Sequence, residues 1–473
     1  MKKYERLAAE LEVQISSGLV GPGERLDSVR EMSRLKKVGL NTVVRAFELL
    51  EDRGLIVARP QSGFYVLGPR TPSGVTTPRL HLSLPKEVSV PEMVSSVFES
   101  AREQGWIQLG AACLAAELYP CESLNRFTRR VVREQPRLVG TYELPPGHFE
   151  YRRQISRRLE RSGCFVEPSE LVATNGAMEA LGLALRSTCS PGDTVLIESP
   201  QYFGILQALQ QLQLRVVEVP AHSTDGVALE RVEEALRKFD ISAGLFIPNF
   251  SNPMGALMSD EKKAALVELF SRYDVPLIED DIYAELSFQG SRPKPLKAFD
   301  TQGCVLTCSS FSKTVSPGLR VGWLAPGRYL EKVKALQLSS TMGCGSLAQH
   351  VMASYLASRE YERHLGDLRL HCSLQMERFS RLILSSFPEG TRLTQPRGGF
   401  VLWVELPKRV DSVELYRRAL EEGISISPGV LFSASGGYRN YIRLNCGNRW
   451  TAPLERGLSR LAELATALQR TGA

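Results

Sequence analysis

Leu7, Leu11 and Ile15 recur at a four-residue spacing and Gly18 follows, so the chain opens with an amphipathic helix and a stop. Gly21-Pro22-Gly23 then turns the chain. Ser28 and Glu31 stand three apart, the spacing of a capping box, and predict a helix running to about Lys36. Lys37-Val38-Gly39-Leu40 makes a tight connection. Asn41 or Thr42 opens a second helix whose buried face carries Val43, Phe47 and Leu50. Two helices on a short glycine-containing turn form a helix-turn-helix. Beyond Gly54, two strand-like runs at residues 55–59 and 63–67 flank Pro60-Gln61-Ser62-Gly63, a hairpin tip that reads as a wing.

The pattern then changes. Residues 68–90 are rich in Pro, Thr, Ser and Gly and predict a linker. From about residue 91 onward short apolar runs alternate with helical stretches, as in an α/β domain. Residues 194–197, 243–247 and 276–279 are the clearest buried strands. The expected division is 1–67, 68–90 and 91–473. A chain of 473 residues accommodates it and excludes a lone DNA-binding module or a disulfide-stapled miniprotein. No apolar run follows Met1, so no signal peptide is expected, and no stretch reaches the length of a membrane span. The 9 cysteines form no C-x-x-C pair, which favours reduced thiols in a cytoplasmic setting and no metal framework.

Net charge is 58 − 52 = +6, too dilute to indicate a partner. Locally it is informative. Residues 25–45 hold Arg25, Arg30, Arg34, Lys36, Lys37 and Arg45 against Asp27 and Glu31, a surplus suited to phosphate contact. The alternative is a set of charges that merely solvates helix faces. With Pro22-Gly23, Leu26, Ser28-Val29-Arg30-Glu31, Asn41-Thr42-Val43, Ala46-Phe47, Leu50 and Gly54-Leu55-Ile56, residues 4–67 resemble the winged helix of GntR-family transcription regulators. That resemblance implies DNA contacts from Arg30, from Asn41 and Thr42, and from the wing tip Gln61, Ser62 and Gly63. Gly39-Leu40 departs from the family's usual Ser or Thr followed by Arg, and Arg45 stands where it could supply part of that contact.

The large domain carries five segments with chemical content. In Ser310-Phe311-Ser312-Lys313, followed by Arg320, a lysine amine able to form a Schiff base lies near a hydroxyl and a phosphate-binding guanidinium. Thr174-Asn175-Gly176-Ala177-Met178 places a glycine turn before a helix, where backbone N–H groups bind phosphate or simply join strand to helix. Glu198-Ser199-Pro200-Gln201-Tyr202 puts an aromatic at a strand end, and Asn252 lies in the turn Ser251-Asn252-Pro253-Met254-Gly255. Ile278-Glu279-Asp280-Asp281-Ile282-Tyr283 sets acids beyond a buried strand, to pair with a pyridine nitrogen or to cap a helix.

In this order the segments resemble the class I aminotransferases, fold type I pyridoxal-phosphate proteins. The resemblance implies a mostly parallel central sheet and a smaller C-terminal α+β subdomain. It makes Lys313 the internal-aldimine lysine, Asp280 the partner of the pyridine nitrogen, and Tyr283 and Asn252 partners of the ring oxygen. Tyr202 stacks on the ring. Ala177, Met178, Ser310 and Arg320 form the phosphate cup, and Tyr142 reaches it from the other subunit of a homodimer. Arg443, in Tyr441-Ile442-Arg443-Leu444-Asn445, grips a substrate carboxylate. Winged helix, linker and this domain together resemble the MocR-type regulators. That implies a cytoplasmic protein that binds double-stranded operator DNA and senses pyridoxal 5'-phosphate itself, or an amine or amino acid condensed with it. The competing reading is a working aminotransferase with a DNA-binding arm. A second basic stretch, residues 126–161, has ten Arg against Glu134, Glu143, Glu150 and Glu160. It is a solvated face or subunit interface, or else an added phosphate-binding surface.

Overall fold

The computed structural model describes residues 3–16, 20, 24–52, 55–59, 63–66, 74–75, 82–89, 93–100, 103 and 105–471. The chain forms two compact units, Met1–Ser73 and Gly74–Ala473. Among the described residues no helix is long and apolar enough to cross a membrane. All nine cysteines are free thiols.

The first unit contains helices α1 (Lys3–Ser16), α2 (Val29–Lys36) and α3 (Leu40–Asp52), then strands β1 (Ile56–Arg59) and β2 (Gly63–Val66). The capping box is present: Glu31 N–H donates to Ser28 Oγ at 3.3 Å, and Ser28 N–H to Glu31 Oε2 at 3.0 Å. Hydrogen bonds from Ser28 hold the Glu31 carboxyl below its ordinary range. Lys37 ends α2 in the left-handed region, φ 51°. The helix α3 begins at Leu40, ahead of Asn41, because the Gly39 carbonyl accepts from Thr42 and Val43 N–H at 2.9 and 3.3 Å. Leu7, Leu11, Val43, Phe47 and Leu50 meet Ile56 and Val66 in one core. Residues 24–26 pair with β2 through Val66 N–H to Glu24 O and Leu26 N–H to Phe64 O, which fixes the wing to the start of α2. Gln61 and Ser62 lie outside the described residues.

In the second unit, the helices before and within the sheet begin with α4 (Met93–Ser100), α5 (Cys121–Glu134), α6 (Phe149–Arg161), α7 (Ala177–Thr188) and α8 (Phe203–Gln211). Strand β3 is Lys86–Glu87 and β4 is Ile107–Gln108. Next come β5 (Val172–Thr174), β6 (Thr194–Ser199), β7 (Arg215–His222), β8 (Gly226–Val227), β9 (Ala243–Phe246), β10 (Leu277–Asp280), β11 (Val305–Ser310) and β12 (Gly322–Ala325). The sheet order is β3-β7-β6-β9-β10-β11-β12-β5, with β8 paired to β7. From β7 to β11 the pairing is parallel, and β12 runs antiparallel. The central strands are buried along their whole length, which explains their continuous apolar runs. A smaller antiparallel sheet follows, made of β13 (Arg392–Leu393), β14 (Val401–Glu405), β16 (Ser427–Pro428) and β17 (Tyr441–Asn445). Strand β15 (Ile424–Ser425) pairs with β4.

Strand β3 falls inside the stretch that composition assigns to a linker. Lys86 Nζ lies 2.5 Å from buried Glu218, and Glu218 N–H donates to Ser83 Oγ at 2.9 Å. Those contacts, with the β3–β7 pairing, tie the end of that stretch to the large unit.

Candidate functional site

Open parallel sheets bind ligands beyond the carboxyl ends of their strands. Here β5, β6, β9, β10 and β11 deliver the five sequence segments to one such edge. Ala177, Met178, Tyr202, Asn252, Asp280, Tyr283, Ser310, Lys313, Arg320 and Arg443 all line a single pocket. Tyr142 does not line it and is 78% exposed.

One end of the pocket is built for an anion. The helix α7 starts after Gly176 with no side-chain cap, leaving the N–H groups of its first turn without an intrahelical partner. Gly176 has φ 84°, and a Cβ there would sit 2.5 Å from Arg320 Nη2. Gly322 is equally confined, since its Cβ would meet Gly176 and Ser309 backbone at 2.7 Å. Arg320, itself at φ 52°, donates to the Asn175 carbonyl at 3.1 Å and to Ser312 Oγ at 3.3 Å.

The middle holds the acid, the amine and the rings. Asp280 ends β10, 8% exposed; burial and neighbouring Asp281 push its carboxyl up to about 7. Lys313 Nζ donates to the Ala112 carbonyl at 2.6 Å. Burial lowers the Lys313 pKa, and the Arg443 and Arg320 charges add to that. Tyr202 folds back over α8, where Gly204 leaves room: a Cβ there would lie 2.5 Å from the ring. Burial raises the Tyr202 hydroxyl to about 12 and pushes that of Tyr283 well up.

At the other end lies Arg443, wholly buried on β17. It donates to Asn252 Oδ1 at 3.2 Å, to Ser427 Oγ at 3.2 Å and to the Gly110 carbonyl. Its Nε has no partner. Among the described residues no carboxylate pairs with it; the rings of Phe203 and Phe432 lie 5.6 and 5.2 Å from its guanidinium carbon. A buried guanidinium without an acid is costly unless a ligand supplies one.

Sequence reasoning missed Cys113, Phe203 and Ala112, which also line the pocket. The segment that carries Ala112 and Cys113 is placed by pairing with distant β-structure, Leu109 N–H to Ser425 O and Asn445 N–H to Leu109 O. No local motif marks it.

In the first unit Arg30 and Asn41 are exposed, and Asn41, Thr42 and Arg45 share an open groove with Tyr4, Val44 and Glu48. Lys36, part of the local basic surplus, is taken up by Glu10 at 2.6 Å. In the second basic stretch, Arg126, Arg129, Arg130 and Arg133 line one groove of α5 with Glu360. Others there are spent on ion pairs, Arg158 with Glu285 and Glu362, and Arg161 with Glu362.

Fold and pocket define a fold type I, pyridoxal-phosphate-binding domain joined to a winged helix. The family described as "Aminotransferase class I and II" matches residues 110–461, and "Bacterial regulatory proteins, gntR family" matches residues 3–66. YdcR of Escherichia coli (strain K12), described as an uncharacterized HTH-type transcriptional regulator, is 37% identical over 98% of this chain and 99% of its own length. YjiR of the same organism, described likewise, is 34% identical over 98% of each. The structure of LysN, α-aminoadipate aminotransferase from Thermus thermophilus, complexed with N-(5'-phosphopyridoxyl)-L-leucine, matches with TM-score 0.74 and 27% identity. The match covers 80% of this chain and 96% of that one.

The chain belongs to the aminotransferase class I and II family, among the GntR-type transcription regulators of MocR architecture. Its cofactor is pyridoxal 5'-phosphate. The uncapped α7 terminus beside Arg320, the cradle that a Cβ at Gly176 would fill, and the buried Asp280 fit that group.

Proposed function

We propose that this regulator reads an amino acid through its cofactor pocket and transmits the result to operator DNA. The observation that carries the reading is Arg443, a buried cation that lines the pocket and lacks a carboxylate partner among the described residues. When bound, pyridoxal phosphate supplies an aldehyde that condenses reversibly with primary amines, and a ring that withdraws electrons.

The chain's own groups do the rest. Lys313 contributes the resident amine, and its lowered pKa leaves more of it neutral and nucleophilic. As a carboxylate paired with bound cofactor, Asp280 would hold a proton on the pyridine nitrogen. Asn252 and Tyr283 would hydrogen-bond the ring oxygen of the cofactor, and Tyr202 would supply an aromatic surface for its ring. Ala177 and Met178 N–H, the Ser310 hydroxyl and Arg320 would hold the cofactor phosphate. Arg443 takes the α-carboxylate of an incoming amino acid as a two-pronged hydrogen-bonded pair.

Exposed Tyr142 completes the phosphate site of a second copy, so the working form is a homodimer in the cytoplasm. Its two winged helices read paired half-sites of duplex DNA through Arg30, Asn41, Thr42, Arg45 and the wing residues Gln61, Ser62 and Gly63. The effector favours one of two conformations because its contacts differ between them. A working aminotransferase uses the same residues, and their assembly in one pocket keeps that reading in play.

Titration of the purified protein with an amino-acid panel separates the two. A regulator changes visible cofactor absorbance and operator affinity at the same concentrations, with little turnover of 2-oxoglutarate. Sustained turnover with unchanged operator affinity overturns the sensing role. In Lys313→Ala the visible band of lysine-bound cofactor disappears; its persistence removes Lys313 from this role.

A further inference from the structure

Outside the pocket, Glu143, His148 and His350 each bring a donor atom to within 4.8 Å of the other two. His350 Nε2 lies 3.2 Å from Glu143 Oε2, and the rings of His148 and His350 stack with centroids 3.6 Å apart. The three arrive from separate places. Glu143 sits on the loop before α6, His148 is the residue before α6, and His350 lies on the helix Ser346–Leu356. Side-chain exposures of 11% for His350 and 26% for Glu143 leave a path for an ion from solvent.

The backbone around the cluster is fixed by bonds that do not involve the rings. His148 N–H donates to Gln349 Oε1 at 2.7 Å, and Gln349 Nε2 to the Cys344 carbonyl at 2.9 Å. Ser346 Oγ donates to the Thr141 carbonyl at 3.1 Å, and Ala173 N–H to the Pro146 carbonyl at 2.9 Å. Gly343, at φ 133°, admits the Glu143 carbonyl where a Cβ would lie 2.4 Å from it.

We propose that Glu143, His148 and His350 form a site for a divalent transition metal, with water completing the coordination shell. Two imidazoles and one carboxylate suit Zn²⁺, Co²⁺ or Ni²⁺ and disfavour Ca²⁺ or Mg²⁺, which take oxygen ligands. Loading turns the two rings out of their stack, because an ion must lie in both ring planes. A bound ion ties the loop that carries Tyr142 to α6 and to the helix Ser346–Leu356. The site itself does not depend on the role given to Tyr142.

Co²⁺ is the probe, added to the full-length protein with its cofactor. Equilibrium dialysis is expected to give one Co²⁺ per chain, with a visible d–d spectrum of nitrogen and oxygen ligation. His350→Ala and His148→Ala should each weaken binding by at least on the order of 10–100-fold, the loss that mutating even an outer-shell partner of a metal ligand causes. Glu143→Gln keeps the size of the side chain, so it reports ligand loss even if a histidine variant fails to fold. No stoichiometric binding overturns the site. So does binding that Glu143→Gln and the histidine variants leave unchanged, or a thiolate charge-transfer band showing that cysteines hold the ion.

Discussion

In the winged-helix unit, Arg30, Asn41 and Arg45 stand exposed on helix surfaces over a core they take no part in. In the large unit, Asn252, Asp280 and Arg443 are buried and hydrogen-bonded, part of the structure they serve. An exposed site keeps its fold whether or not the ligand is present, and orders its side chains on binding. A buried site is organised beforehand and bears a standing cost in stability. The raised acids make that cost visible: Asp280 at about 7, with Glu198 and Glu279 both pushed by burial to about 8. Beneath Asp280, Asp281 is held by Asn249 at 2.7 Å and by Arg292, so the strand end is braced against movement.

The largest expected effect sharpens this contrast at Arg443. Arg443→Ala should weaken amino-acid binding by about 2–5 kcal/mol, the range for truncating one partner of a buried charge pair. Amines without a carboxylate should be unaffected. Absorbance titrations with both ligand types check this, and equal losses for both would break the assignment.

The next effect is on stability. Without cofactor, the folded protein keeps a proton on Asp280 up to about pH 7, whereas an unfolded Asp releases it at about 4. Between those values the folded state binds more protons, so this group's contribution to stability falls as pH rises. Asp280→Asn removes that dependence. Melting of the cofactor-free variant relative to wild type should therefore improve from about pH 5 to about pH 8, by on the order of a few kcal/mol at most. A difference that is flat with pH refutes the buried-cost argument.

The smallest effect tests the exposed side. Asn41→Ala should cost about 1–3 kcal/mol of operator binding, as for one lost base-edge contact, and leave the melting temperature unchanged. A folding defect in that variant would erase the distinction between the two sites.

The features legible in the sequence were those encoded over a few residues. The Ser28–Glu31 box, the buried face of α3 and the strand-end motifs before Gly176, Asp280 and Lys313 are of this kind. Strand β3 was hidden in a Pro-rich stretch because its partner, β7, is more than a hundred residues away. The pairing of His148 with His350 was hidden for the same reason. Composition overstated both basic surpluses, since it counts Lys36 and Arg158 without Glu10 and Glu285, which neutralise them in space.

The position of Arg443 has a consequence for synthesis. Its strand, β17, closes against β14 and β16, and its side chain reaches back to Gly110, more than three hundred residues earlier in the chain. A ribosome-bound chain therefore lacks a finished pocket until nearly all of it has emerged. Capture of a carboxylate ligand is withheld from truncated products and becomes possible only once the last sheet has closed.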